Sequence, residues 1–281
     1  MIANPVAGGG KAARLARSFL AGNTELHFTE YAGHASVLAV QALTAGYRRI
    51  AVMGGDGTLH EVIQPLVGRV PREFEIEFLG GGTSCDFIRR HHSLQPTDII
   101  QIDCHDEFGK PLRSYGVNGS NIGFVADATL RYNHAGILTR LAKKVSTDAG
   151  MLAAATCAMV SHRPLAIEVS MDGGPTQLLY LSNAVAFKTP WIGGGMQLAD
   201  LVSHDDGMLG VILLDAFRAR DLFGLILASY RGALEAHPRI RVHRCREISL
   251  TPERPIRLES DGELIGYTPV RYSVQPRALS L

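Results

Sequence analysis

The sequence predicts two domains, an α/β domain followed by an antiparallel, β-rich one. Up to about residue 96, short β-prone runs alternate with helical patterns, the rhythm of βαβ units on a parallel sheet. From Ile99 onward, short strand-like runs follow one another, the pattern of antiparallel sheet. A chain of 281 residues, 46% apolar and 20% charged, has enough apolar material for both cores.

In the first part, Lys11 to Leu20 and Ser36 to Ala45 read as helices, and Arg49 to Met53 and Glu75 to Leu79 as buried strands. The crossing between domains is placed at Thr97 to Asp103, where no Gly/Ser or Pro-rich linker marks it. In the second part, Leu165 to Met171, Leu178 to Ala186, Leu209 to Asp215 and Ile256 to Leu258 read as strands. Leu222 to Ala236 reads as a helix, because Leu222, Leu225, Ile226, Ser229 and Ala233 recur with a period near 3.6.

Lys and Arg total 28 against 27 Asp and Glu, so the formal charge of +1 supplies no broad positive field. Nucleic acid is therefore excluded as a main partner. The four cysteines, Cys85, Cys104, Cys157 and Cys245, form no Cys-x-x-Cys pair, which fits a reducing cytoplasm. The opening MIANPVAGGGK has too short an apolar run for a signal peptide. The longest apolar stretch, Met151 to Val160, falls well short of the ~20 residues of a membrane helix, so neither secretion nor a membrane span is expected. Asn4 stands so near Met1 that the first strand must be very short, and a native start a few residues upstream is expected.

Three glycine-rich turns lead into helix starts. Asn4-Pro5-Val6-Ala7-Gly8-Gly9-Gly10-Lys11 offers bare backbone amides to an anion, yet matches neither a P-loop nor a G-x-G-x-x-G fingerprint. Gly54-Gly55-Asp56-Gly57-Thr58 follows a strand, and its glycines let amides approach a ligand that a Cβ would hold off. Asp56 among such amides would repel phosphate unless a cation intervened, which points to Mg²⁺ or an ordered water network. Thr58 and Glu61 also fit a T-x-x-E capping box, which explains those two residues without any ligand. Gly80-Gly81-Gly82-Thr83-Ser84-Cys85-Asp86-Phe87 repeats the construction, and there Thr83 and Asp86 fit a simple cap. On neighbouring parallel strands all three turns would share the carboxyl edge, where α/β proteins bind ligands.

On these turns the sequence resembles the catalytic domain of the diacylglycerol kinase family, soluble bacterial lipid kinases that share a superfamily with NAD kinases and phosphofructokinases. The resemblance runs on through Asn118, Gly123-Phe124, Asp127-Ala128, Gly193-Gly194-Gly195-Met196, Asp205-Asp206-Gly207 and Asp261-Gly262-Glu263. It implies a Rossmann-like parallel sheet in the α/β domain, a β-rich second domain and an active-site cleft between them. The family's last residues return to the first domain, which gives 1–96 plus 272–281 for the nucleotide and 97–271 for the lipid. Carried over by motif, ATP sits against Asn4, Gly8, Gly9, Gly10, Lys11, Thr29, Gly54, Gly55, Asp56, Gly57, Thr58, Glu61 and Thr83. Asp56 and Asp86 join the network that holds catalytic Mg²⁺. Asp206, with carbonyls of Ser203 and Met208, resembles the family's structural Mg²⁺ site. The Asp-Gly-Glu turn supplies the base for the lipid hydroxyl, with Asp261 favoured and Glu263 the alternative, although spacing alone reads it as a surface turn.

The resemblance implies a kinase acting on a diacylglycerol-like lipid, cytoplasmic or peripheral at the inner membrane face, with a homodimer open. Its rivals are an NAD kinase, disfavoured by the third turn, and a silent nucleotide- or lipid-binding protein. Cys85, His60 and Gly210 depart from the family pattern, leaving metal geometry and substrate identity open. Cys85 reads as a passive small residue. Trp191 reads equally as a lipid-pocket wall or a core residue. The basic, amphipathic stretch from Arg131 to Thr147 reads equally as a membrane-docking face or a surface helix. Eleven histidines include no His-x-x-x-His, so no transition-metal centre is expected.

Overall fold

Alanine-rich and β-branched segments alternate at the start of the chain, and the backbone follows them. The computed structural model describes residues 1–19, 24–71, 73–82, 85–89, 93–133, 150, 153–158, 162–193, 195–217 and 219–281. Strands β1 (Ile2–Ala3), β2 (His27–Phe28), β3 (Arg49–Gly54) and β4 (Glu75–Gly81) alternate with helices α1 (Lys11–Ser18), α2 (His34–Thr44) and α3 (Asp56–Ile63). Every pairing among these strands is parallel, in the order β2-β1-β3-β4, with Ile2 opposite both His27 and Val52 and Arg49 opposite Glu75. Small side chains let α1 lie close on the sheet: Ala12 and Ala16, one turn apart, pack against Ala3 and Met53. On the other side, Leu59, Val62 and Ile63 of α3 pack with Leu38 and Ala39 of α2 against Val52 and Ile76.

Beyond residue 95 all strand pairings among the elements are antiparallel. These strands are β5 (Pro96–His105), β6 (Pro111–Gly116), β7 (Gly119–Gly123), β8 (Leu165–Met171), β9 (Gln177–Phe187), β10 (Trp191–Ile192), β11 (Met196–Gln197), β12 (Leu209–Asp215), β13 (Ile240–Cys245), β14 (Glu247–Pro252), β15 (Arg257–Ser260) and β16 (Glu263–Ser280). The pairing β9-β8-β14-β16-β15-β7-β9 closes on itself. Closure gives each of these six strands a partner on both sides and buries Ile167, Val169, Leu181, Ile248, Leu250 and Tyr272 in a shared core. Strand β16 then pairs with β5 and reaches β4, where Ser280 lies parallel to Glu75.

Among the described residues, helices α4 (Phe124–Asn133) and α5 (Ala219–Tyr230) lie against the β-rich part, and helical backbone over 153–158 joins them, with Ala158 buried beside Phe124. The expected helix from Leu222 to Ala236 ends sooner, at Tyr230. Gly232 takes a left-handed φ of +65°, and a 3₁₀ turn over Leu234–Ala236 follows. Ala233 is exposed, and Leu234 takes the buried place foreseen for it. The other expected strands lie within a residue or two of the observed ones, and the expected start of α2 at Ser36 moves to His34. Leu20 and most of the stretch from Arg131 to Thr147 lie outside the described residues. Among the described residues no helix is long and apolar enough to cross a membrane.

Candidate active site

The three glycine turns converge. Their strands β1, β3 and β4 are adjacent, so the loops at their carboxyl ends meet: Asn4 N donates to Met53 O at 2.9 Å and Gly82 N to Gly54 O at 2.9 Å. Gly8, with φ +58°, passes so near the third turn that a Cβ would lie 2.3 Å from Gly81 O. A Cβ on Gly82 would lie 2.3 Å from the Cα of Gly55. Asn4 Nδ2 donates to Thr58 Oγ1 at 3.3 Å, tying the first turn to the second. Thr29 is joined to the same edge by its amide, which donates to Ala3 O at 2.9 Å. Thr83 lies outside the described residues.

The expected Thr58–Glu61 capping box is not made. Gly55 is the residue before α3 and has no side chain to cap it. Glu61 instead caps the neighbouring helix, its carboxylate accepting from Gly33 N at 2.9 Å and Ala35 N at 3.2 Å at the start of α2. Tertiary contact outcompetes the local motif, and both carboxylate oxygens of Glu61 are spent on α2.

Acids gather where the turns face the β-rich part. Asp56 accepts the amides of Asp86 at 3.0 Å and Phe87 at 3.3 Å. Burial, then the nearby charges of Asp86 and Asp261, push its carboxyl up to about 6 against those hydrogen bonds. Asp86 is buried and forms an ion pair with Arg89 at 3.2 Å. Asp261, in a turn with φ +52°, accepts from Val117 N (3.0 Å), Asn118 N (2.8 Å) and Gly119 N (3.3 Å), and contacts His60 Nδ1 at 2.9 Å. Those four contacts use the acceptor capacity of a carboxylate. Glu263 is exposed, and its Oε1 lies 3.1 Å from where a Cβ on Gly57 would stand.

Asp56, Asp86 and Asp261 share one cavity of about 350 Å³. Its polar end adds Asn118, Asn121 and Glu259, and its far walls are apolar, with Phe124, Val185, Ile212, Leu214, Phe217 and Leu225. Trp191 lines it too, with the Arg89 guanidinium 5.8 Å from the ring centroid. A larger cavity of about 540 Å³, between Leu38, Tyr47 and Leu79, touches none of the three acids or the glycine turns.

Sequence reasoning missed a buried polar line. Asn183 Nδ2 donates to Asn121 Oδ1 at 3.2 Å, Asn121 Nδ2 donates to Glu259 Oε1, and Gly262 N donates to Glu259 Oε2 at 3.0 Å. Burial pushes Glu259 up to about 7 despite the Asn121 hydrogen bond. Its signal was present: asparagines and a glutamate at inward positions of apolar strands, which need partners once buried.

The residues expected around two magnesium ions behave differently. Asp56 and Asp86 place like charges near one another at the cavity's polar end, an arrangement that a divalent cation relieves; among the described residues no three ligand side chains form a closed cage there. At Asp206 the expected oxygen donors are already engaged. Lys188 Nζ donates to Asp206 Oδ1 at 2.9 Å and to Met208 O at 2.7 Å, and Ser203 offers its amide to Asp206 Oδ2 at 2.9 Å in place of its carbonyl. Burial would raise the Asp206 carboxyl, but Lys188 and the amides of Ser203 and Met208 prevail and hold it below the ordinary range. This set does not fit a structural Mg²⁺.

A parallel α/β unit with glycine turns, followed by a closed antiparallel β unit, defines the class as a two-part α/β-plus-β fold. The chain belongs to the diacylglycerol kinase family. The diacylglycerol kinase catalytic domain matches residues 1–104 and the YegS C-terminal NAD kinase beta sandwich-like domain matches residues 132–281. The chain is similar to a diacylglycerol kinase of Staphylococcus carnosus, 25% identical over 266 residues, covering 89% of this chain and 81% of that one. A diacylglycerol kinase of Staphylococcus saprophyticus is 25% identical over 260 residues, covering 88% and 80%. In fold it resembles the crystal structure of a diacylglycerol kinase from Bacillus anthracis, with TM-score 0.68, 16% identity, and coverage of 99% of this chain and 93% of that one.

Proposed function

We propose that this chain is an ATP- and Mg²⁺-dependent lipid kinase that transfers the γ-phosphoryl group to a hydroxyl of a diacylglycerol-like lipid. One observation carries the reading: a single cavity joins the acids beside the glycine turns to a long apolar wall. Amides and glycines at Asn4, Gly8 to Lys11, Thr29 and Gly54 to Thr58, with Thr83, cradle the triphosphate, while Glu61 acts one step back by fixing α2. Asp56 and Asp86 hold Mg²⁺, which screens the triphosphate charge and lets an alcohol approach. The apolar walls take the acyl chains and leave the headgroup hydroxyl at the acidic end. Because Asp261 is saturated by four partners, Glu263 is assigned as acceptor of the hydroxyl proton and Asp261 as the residue that holds the turn. Residues 1–96, with Leu279 and Leu281 packed on their core, form the nucleotide side, and 97–271 the lipid side, which also keeps Tyr272 in its core although 272–281 is expected to return whole to the first part.

The test offers purified protein labelled ATP and Mg²⁺ with diacylglycerol, other lipid alcohols, sphingoid bases and NAD⁺ in parallel. Label in diacylglycerol supports the reading, label in NAD⁺ alone replaces it with an NAD kinase, and bound ATP without any transfer replaces it with a silent binder. Asp56→Asn should lower turnover by ~100-fold or more.

A further inference from the structure

Lys188 follows directly on the buried run that ends β9, and its side chain is only 2% exposed. An ammonium there is strongly unfavourable unless every N–H bond finds an acceptor. All three do: Asp98 Oδ2 at 2.9 Å, Asp206 Oδ1 at 2.9 Å and the carbonyl of Met208 at 2.7 Å. The carboxylates are then finished by others. Asp98 also accepts Gly207 N at 2.7 Å and, on its other oxygen, Arg277 N at 2.8 Å. Asp206 accepts Met208 N at 3.0 Å, Ser203 N at 2.9 Å and Arg244 Nη2 at 2.9 Å.

This cluster joins the end of β9 to β5, to the turn before β12, to β13 through Arg244 and to β16 through Arg277. Its charges balance, since Asp98 and Asp206 face Lys188 and Arg244. A divalent ion added to it would meet the ammonium at close range and leave an uncompensated double charge. We infer that Lys188 is a built-in cation: its ammonium does, covalently attached, the cross-linking that the family resemblance assigns to a metal at Asp206, and the β-rich part of this chain is held together without that metal.

The experiment measures metal content and thermal unfolding of the full chain, so its outcome does not depend on any kinase activity. After exhaustive dialysis against a chelator, wild-type protein should retain no stoichiometric divalent metal and keep its melting temperature within ~1 °C of the undialysed sample. A bound equivalent of metal, or a fall of more than ~5 °C on chelation, that persists in Asp56→Asn and disappears in Asp206→Asn overturns the inference. Lys188→Ala opens the space the side chain filled and leaves two carboxylates facing one another. In chelator it should melt about 10 °C below wild type. Added Mg²⁺ should then raise its melting temperature by more than it raises that of wild type, because the emptied oxygen set accepts a free cation. A variant that melts with wild type, or that gains no more from Mg²⁺ than wild type does, overturns the inference. If Lys188→Ala yields no folded protein, the chelation and metal analysis of wild type, Asp56→Asn and Asp206→Asn decides alone.

Discussion

His60 Nδ1 lies 2.9 Å from Oδ2 of Asp261, although 201 residues separate them and both side chains are almost wholly buried. The contact bridges α3, which starts in the second glycine turn, and the Asp-Gly-Glu turn between β15 and β16. It therefore fixes the distance between the triphosphate side and the proton-accepting side of the proposed reaction. Asp261→Asn leaves an amide NH₂ facing backbone N–H donors, and should cost ~100-fold in turnover together with a lower melting temperature. His60→Ala keeps the Asp261 amide contacts, and should lower kcat by ~10-fold with little change in the KM for ATP. Steady-state kinetics and thermal melts on both variants check this, and an unchanged kcat in His60→Ala removes the bridge from the mechanism.

Glu259 gives the protein a pH-dependent stability. Its folded-state carboxyl, near 7, lies above the ordinary value near 4.5, so the folded chain holds this proton more tightly than the unfolded one. The resulting stability is fully present below about 4.5 and is lost as pH rises through 7. Metal-free denaturant melts across that window should show the decline in wild type and a flatter profile in Glu259→Gln. An equal slope in the two proteins removes Glu259 as its source.

Gly8 is held by geometry on two counts, a left-handed φ and the nearby carbonyl of Gly81. Gly8→Ala must displace one turn from the other, at a cost of roughly 1–3 kcal/mol, and should weaken ATP binding more than lipid binding. Isothermal titration with ATP and a denaturant melt measure the two effects. Wild-type ATP affinity in this variant would show that the first turn does not touch the nucleotide.

The apolar wall should set the response to acyl chains. Ile226 on α5 lines the cavity well away in sequence from the glycine turns. Ile226→Asp puts a charge on that wall, and should reduce turnover of a long-chain diacylglycerol by at least ~10-fold while leaving ATP affinity intact. Equal turnover of long-chain substrate by variant and wild type would move the lipid elsewhere.

The glycine turns and strands β3, β4, β8 and β12 were legible because period, turn residues and burial all agree locally at those positions. What the sequence hid depends on partners far along the chain. Glu61 fits a capping box within α3, yet its acceptors serve α2. Lys188 lies just past the expected strand Leu178 to Ala186, and no local pattern shows that Asp98, 90 residues earlier, and Asp206, 18 residues later, close around it. His60 showed only as a departure from the family pattern, and no spacing rule ties a helix residue to a turn 201 residues later. The end of α5 was missed because Gly232 lies within an otherwise continuous apolar period, and only its left-handed φ reveals the stop.

Strand β16 spans 18 residues, from the Asp-Gly-Glu turn to the edge of the parallel strands, and pairs with β4, β5, β14 and β15 on its way. A ribosome delivers those residues only after the neighbours they cover, so a nascent polypeptide exposes long unpaired edges until residue 280 emerges. Interrupted translation products should thus stick to one another, and neither half is expected to be manufactured as a separate working piece.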